Sequence, residues 1–254
     1  MGYLHEGHLS LIRESKRTCE ITIVSIFVNP TQFGPSEDFN GYPRNVERDN
    51  KLLEDEGVDF LFIPSTEEIY PRNFLTYVNV EHVTRKLEGE FRPTHFRGVA
   101  TVVLILFNCV QPDYAFFGQK DAQQLAVIKQ MVKDLKLDIK IIGCPIIREE
   151  DGLAMSSRNI YLSSTERKEA LVLHSSLELA KKIIASGEKR VSIILADMTG
   201  LFSKIPSANL DYIKIVEADT FEFVDVLEKE NEYFVLVACK IGRTRLIDNT
   251  RILI

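Results

Sequence analysis

The stretch ITIVSIFVN, Ile21–Asn29, decides the fold class. It is a continuous run of apolar and β-branched side chains, the pattern of a strand buried on both faces of a parallel sheet. The segments around it alternate in type. ERDNKLLEDEG (Glu47–Gly57) reads as a helix stopped by Gly57, and DFLFI (Asp59–Ile63) as the next strand. VATVVLILFNCV (Val99–Val110) has the length of a buried helix. YAFFG (Tyr114–Gly118) is a strand leading into a helix from Asp121 to Leu135, with Leu125, Ile128, Val132 and Leu135 on one face. DIKIIG (Asp138–Gly143) is a further strand. Strands alternating with helices predict an α/β, Rossmann-like, doubly wound parallel sheet.

Beyond Arg148 the texture changes. SSTE (Ser163–Glu166) is a capping box opening one long helix to Gly187. A second helix follows, and then DYIKIVEA, EYFVLVACK and TRLIDN predict a small antiparallel sheet. The expected division is a nucleotide-binding domain over 1–148 and a smaller α+β domain over 149–254.

Bulk properties narrow the function. The chain has 254 residues, with 31 Lys and Arg against 37 Asp and Glu, a net charge of −6. That balance argues against a general nucleic-acid binder. The longest apolar run, Val99–Val110, is too short to span a bilayer. Cys19, Cys109, Cys144 and Cys239 form no CxxC pair, so the expected setting is a reducing cytoplasm without membrane attachment.

Three short segments carry chemistry. His5-Glu6-Gly7-His8 places its histidines three apart, not the four that HExxH needs to face one metal. A glycine beside them suits the start of a helix, where unpaired N–H groups favour phosphate. LAMSSRN (Leu153–Asn159) offers two hydroxyls and the planar donor fork of Arg158. FFGQKDAQQL ends a strand at Gly118, puts Lys120 before a helix, and spells a capping box with Asp121 and Gln124. A cation at the carboxyl end of a parallel strand lies where ligands bind in open α/β sheets.

HxGH near the start, with MSSR in the place of the KMSKS loop, resembles the HIGH-type nucleotidyltransferases. MGYLHEGHLSL, VSIFVNPTQFGPSEDFNGYPR, RPTHFRGV, FFGQKDAQQL, REEDGLAMSSRNIYLS and TRLIDN, in that order, look like the pantothenate synthetase (pantoate–β-alanine ligase) family over essentially the whole chain. The resemblance implies ATP-dependent ligation of pantoate and β-alanine through a pantoyl adenylate, releasing AMP and pyrophosphate, with Mg²⁺ and a homodimer. It implies an ATP site from Met1, Gly2, Tyr3, Leu4, His5, Glu6, Gly7, His8, Gly118, Gln119, Lys120, Asp121, Ile147, Met155, Ser156, Ser157 and Arg158. His8 matches the proton donor and His5 its partner on the phosphates, while Lys120 and Arg158 supply positive charge. Gln32 and Gln124 match the pair holding pantoate, with Asn29 beside them. The Mg²⁺ ligands have no assignment; Asp49, an acid in the first turn of a helix, reads as structural.

The chain departs from the family pattern in three places. The family carries a strand ahead of this methionine, so the sheet is expected to lack its first strand. Ile105 stands where relatives often have lysine, and Ala154 and Ser157 stand where the KMSKS loop has lysines. The competing readings are a non-catalytic ATP-binding homologue and another HxGH nucleotidyltransferase.

Overall fold

The structure is a computed structural model that describes residues 2–35 and 37–254. The chain divides into two compact units, 1–145 and 146–254, so residues 146–148 belong with the second unit, not the first.

In the first unit, α1 (Glu6–Thr18) is followed by β1 (Ile23–Ser25), α2 (Val46–Asp55) and β2 (Phe60–Phe62). Then come the single turns α3 (Thr66–Ile69) and α4 (Glu88–Phe91), the long α5 (His95–Val110), β3 (Tyr114–Gly118), α6 (Ala122–Asp134) and β4 (Lys140–Cys144). β1 pairs in parallel with β2, and β3 with β4. Each pair spans a helix, as parallel pairing requires a crossover. Gly57 ends α2 with φ +66°, a conformation that favours glycine. Ala115 and Phe117 of β3, Ile141 of β4 and Ile139 just before it pack with α5 and α6 around Phe96, Val99, Val127, Ile128 and Met131. α1 packs on β3 and β4. Its Leu9 and Ile12 also join Ile26 and Leu53 in a second core.

Among the described residues the four parallel strands hydrogen-bond as two two-stranded sheets. Two expectations about the Ile21–Asn29 run are corrected. Only Ile23–Ser25 of the Ile21–Asn29 run is strand, and it is not buried on both faces: Ile21 is 60% exposed and Ile23 42%. The run is cut short because Asn29 and Pro30 turn the chain into a 3-10 helix.

In the second unit, α7 (Ser164–Glu169), α8 (Leu171–Ala185) and α9 (Val191–Phe202) precede an antiparallel sheet in the order β5 (Ala208–Glu217), β6 (Glu232–Ile241), β7 (Thr244–Leu253). Strand β6 is the buried centre: Val235, Val237, Cys239 and Ile241 have no exposed surface and meet Leu173, Leu177, Ile194 and Met198 of α8 and α9. The capping box at Ser163 and Glu166 forms, but the expected single helix is two. It breaks at Ala170, and α8 begins there without a side-chain cap.

No helix among the described residues is long and apolar enough to cross a membrane.

Candidate active site

Helix α1 is capped by histidines. His5, in extended conformation at the N-cap, accepts the Gly7 N–H on Nδ1 at 3.1 Å. His8, at the third helical position, accepts the His5 N–H on its own Nδ1 at 3.2 Å. This is a capping box in which two imidazoles replace the usual hydroxyl and carboxylate. With Nδ1 accepting in both rings, the neutral tautomer carries its proton on Nε2. The rings lie 4.0 Å apart. Burial, then His5 and Lys120, hold the His8 pKa well below the usual histidine value. That direction favours the neutral ring at His8, which offers its Nε2 proton as a donor.

The segment entering α1 is held from a distance. Asp49, on α2 and only 1% exposed, accepts the N–H of Tyr3 at 2.6 Å and of Leu4 at 2.7 Å. Arg48 donates to the Leu4 carbonyl at 2.9 Å and stacks over the Tyr3 ring at 4.7 Å. The clamp holds Tyr3 at φ +55°, a left-handed conformation costing about 1–2 kcal/mol in a side-chain-bearing residue. Both Asp49 oxygens are engaged by backbone N–H groups, a structural role. No group of three or more His, Cys, Asp or Glu among the described residues is arranged as a metal site. Gly2 is buried beside Val28 and Ile26. Met1, named as an ATP contact, lies outside the described residues.

Asn29 is the N-cap of the 3-10 turn Pro30–Gln32. Its Oδ1 accepts from Thr31 N (3.2 Å), Thr31 Oγ1 (3.0 Å) and the Tyr70 hydroxyl (2.9 Å), and its Nδ2 donates to the Gly98 carbonyl (3.0 Å). At 2% exposure, Asn29 braces the turn that carries Gln32.

Gly118 ends β3 beside open space, with no atom within 4 Å of where a Cβ would stand. Gln119–Asp121 form a 3-10 turn, which puts Lys120 close enough for its charge to act on His8. Asp121 makes no side-chain cap to α6, so the expected Asp121–Gln124 capping box does not form; the chain enters α6 from a 3-10 turn, not an extended cap. Gln124 is half-buried in the first turn of α6.

In the second unit, residues 147–155 form a hairpin: Met155 N donates to the Ile147 carbonyl at 3.0 Å and Glu149 N to the Leu153 carbonyl at 2.8 Å. A 3-10 helix, Ser157–Tyr161, follows with Ser156 as its cap, its Oγ accepting the Arg158 N–H at 3.3 Å. Arg148 fixes the hairpin to β7 through a two-point ion pair with the buried Asp248, at 2.6 and 3.0 Å. Glu149 accepts from Asn159 and from Arg167 of α7, both at 2.7 Å. Met155–Arg158 therefore sit between two anchored segments.

The clamp residues Arg48 and Asp49 were not legible as such in the sequence, because their contacts span about 45 positions. Arg92, His95 and Gly98 stood inside a quoted block, RPTHFRGV, without a role.

Comparison with known proteins joins these observations. The family described as pantoate-beta-alanine ligase matches residues 1–251. The chain belongs to the pantoate–β-alanine ligase family. A pantothenate synthetase of Caldicellulosiruptor bescii is 58% identical over 249 residues, covering 98% of this chain and 88% of the relative. That of Pseudothermotoga lettingae is 54% identical over 250 residues, with the same coverage. Among solved structures, pantothenate synthetase from Thermus thermophilus superposes with a TM-score of 0.94 at 45% identity, covering 98% of this chain and 90% of that one. The ligase of Francisella tularensis, described as complexed with beta-gamma ATP and beta-alanine, gives 0.78 at 36% identity, with 98% and 86% covered. Members of this family are ligases that use ATP to join pantoate to β-alanine, and this chain is one of them.

Proposed function

We propose that this ligase works through a pantoyl adenylate. A pantoate carboxylate oxygen attacks the α-phosphorus of ATP and displaces pyrophosphate. The neutral amine of β-alanine then attacks the acyl carbon and displaces AMP. Activation is needed because an oxide is a poor leaving group and AMP is a good one.

The observation carrying this reading is the histidine cap. Tying both Nδ1 atoms to the first turn of α1 makes Nε2 the proton-bearing nitrogen of each ring, beside Lys120 and at a helix N-terminus. Preorganised donors of this kind favour charge developing on a departing pyrophosphate. In this reading His8 and His5 donate to the phosphates and Lys120 offsets the repulsion between carboxylate and triphosphate. The family resemblance assigns ATP contacts to Gly2–His8 and Gly118–Asp121 in the first unit and to Ile147 and Met155–Arg158 in the second, with Arg158 as the loop's cation. Gln32 and Gln124 hold pantoate, and the second step is mainly positioning.

Mg²⁺ belongs to the nucleotide substrate, Mg·ATP, since magnesium is commonly held by substrate phosphates and Asp49 is engaged elsewhere. The two parallel strand pairs are read as parts of one doubly wound, Rossmann-like sheet, supported by the packing of α1 on β3 and β4. A cytoplasmic homodimer completes the proposal, resting on family resemblance and on four free cysteines.

The test is pyrophosphate release by the purified chain with Mg·ATP and pantoate, without and then with β-alanine. Pantoate-dependent release that turns over repeatedly only with β-alanine is the expected result. Release that needs β-alanine even in the first turnover defeats the adenylate route.

A further inference from the structure

The block Arg92–Val99 stands some 60 residues from Gln32 in sequence, yet its polar groups converge on the turn that carries Gln32. His95 Nδ1 lies 3.0 Å from the Gln32 carbonyl oxygen. A carbonyl only accepts, so Nδ1 bears the proton and donates. On the other side of the ring, Nε2 lies 3.3 Å from Arg92 Nη1, an obligate donor, and so accepts. Both contacts require the same neutral tautomer, the opposite of that in His5 and His8.

Arg92 is itself fixed. Its Nε and Nη2 make a two-point pair with Glu37, at 2.9 and 2.7 Å, and Nη2 also reaches toward the Gln32 carbonyl at 3.5 Å. From one turn further along α5, Gly98 presses on the preceding peptide, Thr31–Gln32, so the two peptides that flank Gln32 are both held. A Cβ at Gly98 would stand 2.5 Å from the Thr31 oxygen and 2.7 Å from Gln32 N, which only glycine avoids. The Gly98 carbonyl in turn accepts from Asn29.

This is more than packing needs. α5 is already secured by Phe96, Val99, Ala100 and Val103 in the apolar core. Burying an imidazole beside a guanidinium costs free energy unless each polar atom is matched, and here Nδ1 is matched by the Gln32 carbonyl, Nε2 by Arg92, and Arg92 by Glu37. A three-residue 3-10 turn has little hydrogen bonding of its own to fix its last residue.

We propose that His95, supported by Arg92 and Gly98, is a positioning residue that holds the Gln32 backbone so that its side-chain amide is aimed at pantoate. The proposal rests on the reading of Gln32 as a pantoate contact. His95 touches no substrate; it acts through the peptide it holds. A displacement on the order of 1 Å in such a contact can cost about 10²-fold in rate.

The experiment compares wild type with His95→Asn, His95→Gln and Gln32→Ala, measuring KM for pantoate, KM for ATP and kcat. An asparagine amide can take the place of Nδ1 and donate to the carbonyl. A glutamine amide falls instead near Nε2. Both variants are polar, so folding is checked in both by circular dichroism. His95→Gln is expected to raise the pantoate KM at least about ten-fold while the ATP KM stays within about two-fold, and His95→Asn to recover most of that loss. Equal effects on both KM values, or no difference between the two His95 variants, overturns the proposal while a raised pantoate KM in Gln32→Ala leaves the premise standing. An unchanged pantoate KM in Gln32→Ala overturns the premise and the proposal together.

Discussion

The Asp49 carboxylate holds two successive backbone N–H groups, those of Tyr3 and Leu4, from more than 40 residues away. The residue after Leu4 is the capping His5, so the position of the first imidazole depends on a side chain of α2.

Asp49→Asn tests that dependence. Its amide nitrogen would face a backbone donor, losing one charge-assisted bond and leaving a buried N–H unpaired. Such bonds contribute about 1.5–3 kcal/mol each. Urea denaturation is expected to show a loss of about 2 kcal/mol or more, and the ATP KM to rise. Unchanged stability would mean the clamp is not formed in solution.

His8 caps a helix and in the proposed mechanism also donates to the phosphates, and substitution can separate the two. His8→Ala removes both roles. His8→Gln keeps a side chain suited to the third position of a capping box. Thermal denaturation is expected to place the glutamine variant near wild type and the alanine variant about 1 kcal/mol lower. Pyrophosphate release is expected to fall about 10²–10³-fold in alanine and to be poorly restored in glutamine.

Burial, and next the Arg92 charge, press His95 down to about 4, against the opposing pull of the Gln32 carbonyl, Glu88 and Glu37. The folded value lies below the unfolded one of about 6.5, so between the two the unfolded chain binds more protons. The stability associated with neutral His95 is complete above about pH 6.5 and is lost as pH falls toward about 4. Denaturation midpoints from pH 7 to 4 check this: the wild-type decline is expected to be steeper than that of His95→Asn, which has no imidazole to charge.

In the second unit, Asp248 is 1% exposed and makes the two-point pair with Arg148. Asp248→Asn leaves the guanidinium facing an uncharged partner at the base of the hairpin before Ser156. The expected outcome is a raised ATP KM with the pantoate KM little changed, together with a stability loss of about 2–4 kcal/mol, below the full figure for a completely buried pair because Arg148 is partly exposed. A normal ATP KM would show that the hairpin does not set the loop.

Periodic features were legible in the sequence. α6 follows from its apolar spacing, α5 from the length of its apolar run, and α2 and the three C-terminal strands from the composition of their segments. The Ile21–Asn29 run misled, since apolar β-branched residues extend beyond the three that pair, and the turn at Asn29–Pro30 wins over strand propensity. The break at Ala170 carries no glycine or proline to mark it. At the site, His5, His8 and Lys120 were visible as types in a motif, but not that the imidazoles cap the helix with Nδ1. Asp49 and His95 were hidden for a simpler reason: each acts on backbone atoms far away in sequence, and a backbone target leaves no residue type to notice.

The histidine cap also bears on how such a protein can change. Ordinarily a helix start and a reactive group drift independently, so a duplicate gene can shed activity while its scaffold survives. Here, in the proposed mechanism, the same two rings serve both ends. A descendant that abandons ligation is expected to exchange His5 and His8 for an ordinary Ser or Asp and Glu cap, and that exchange would be a readable mark of lost chemistry in an otherwise intact fold.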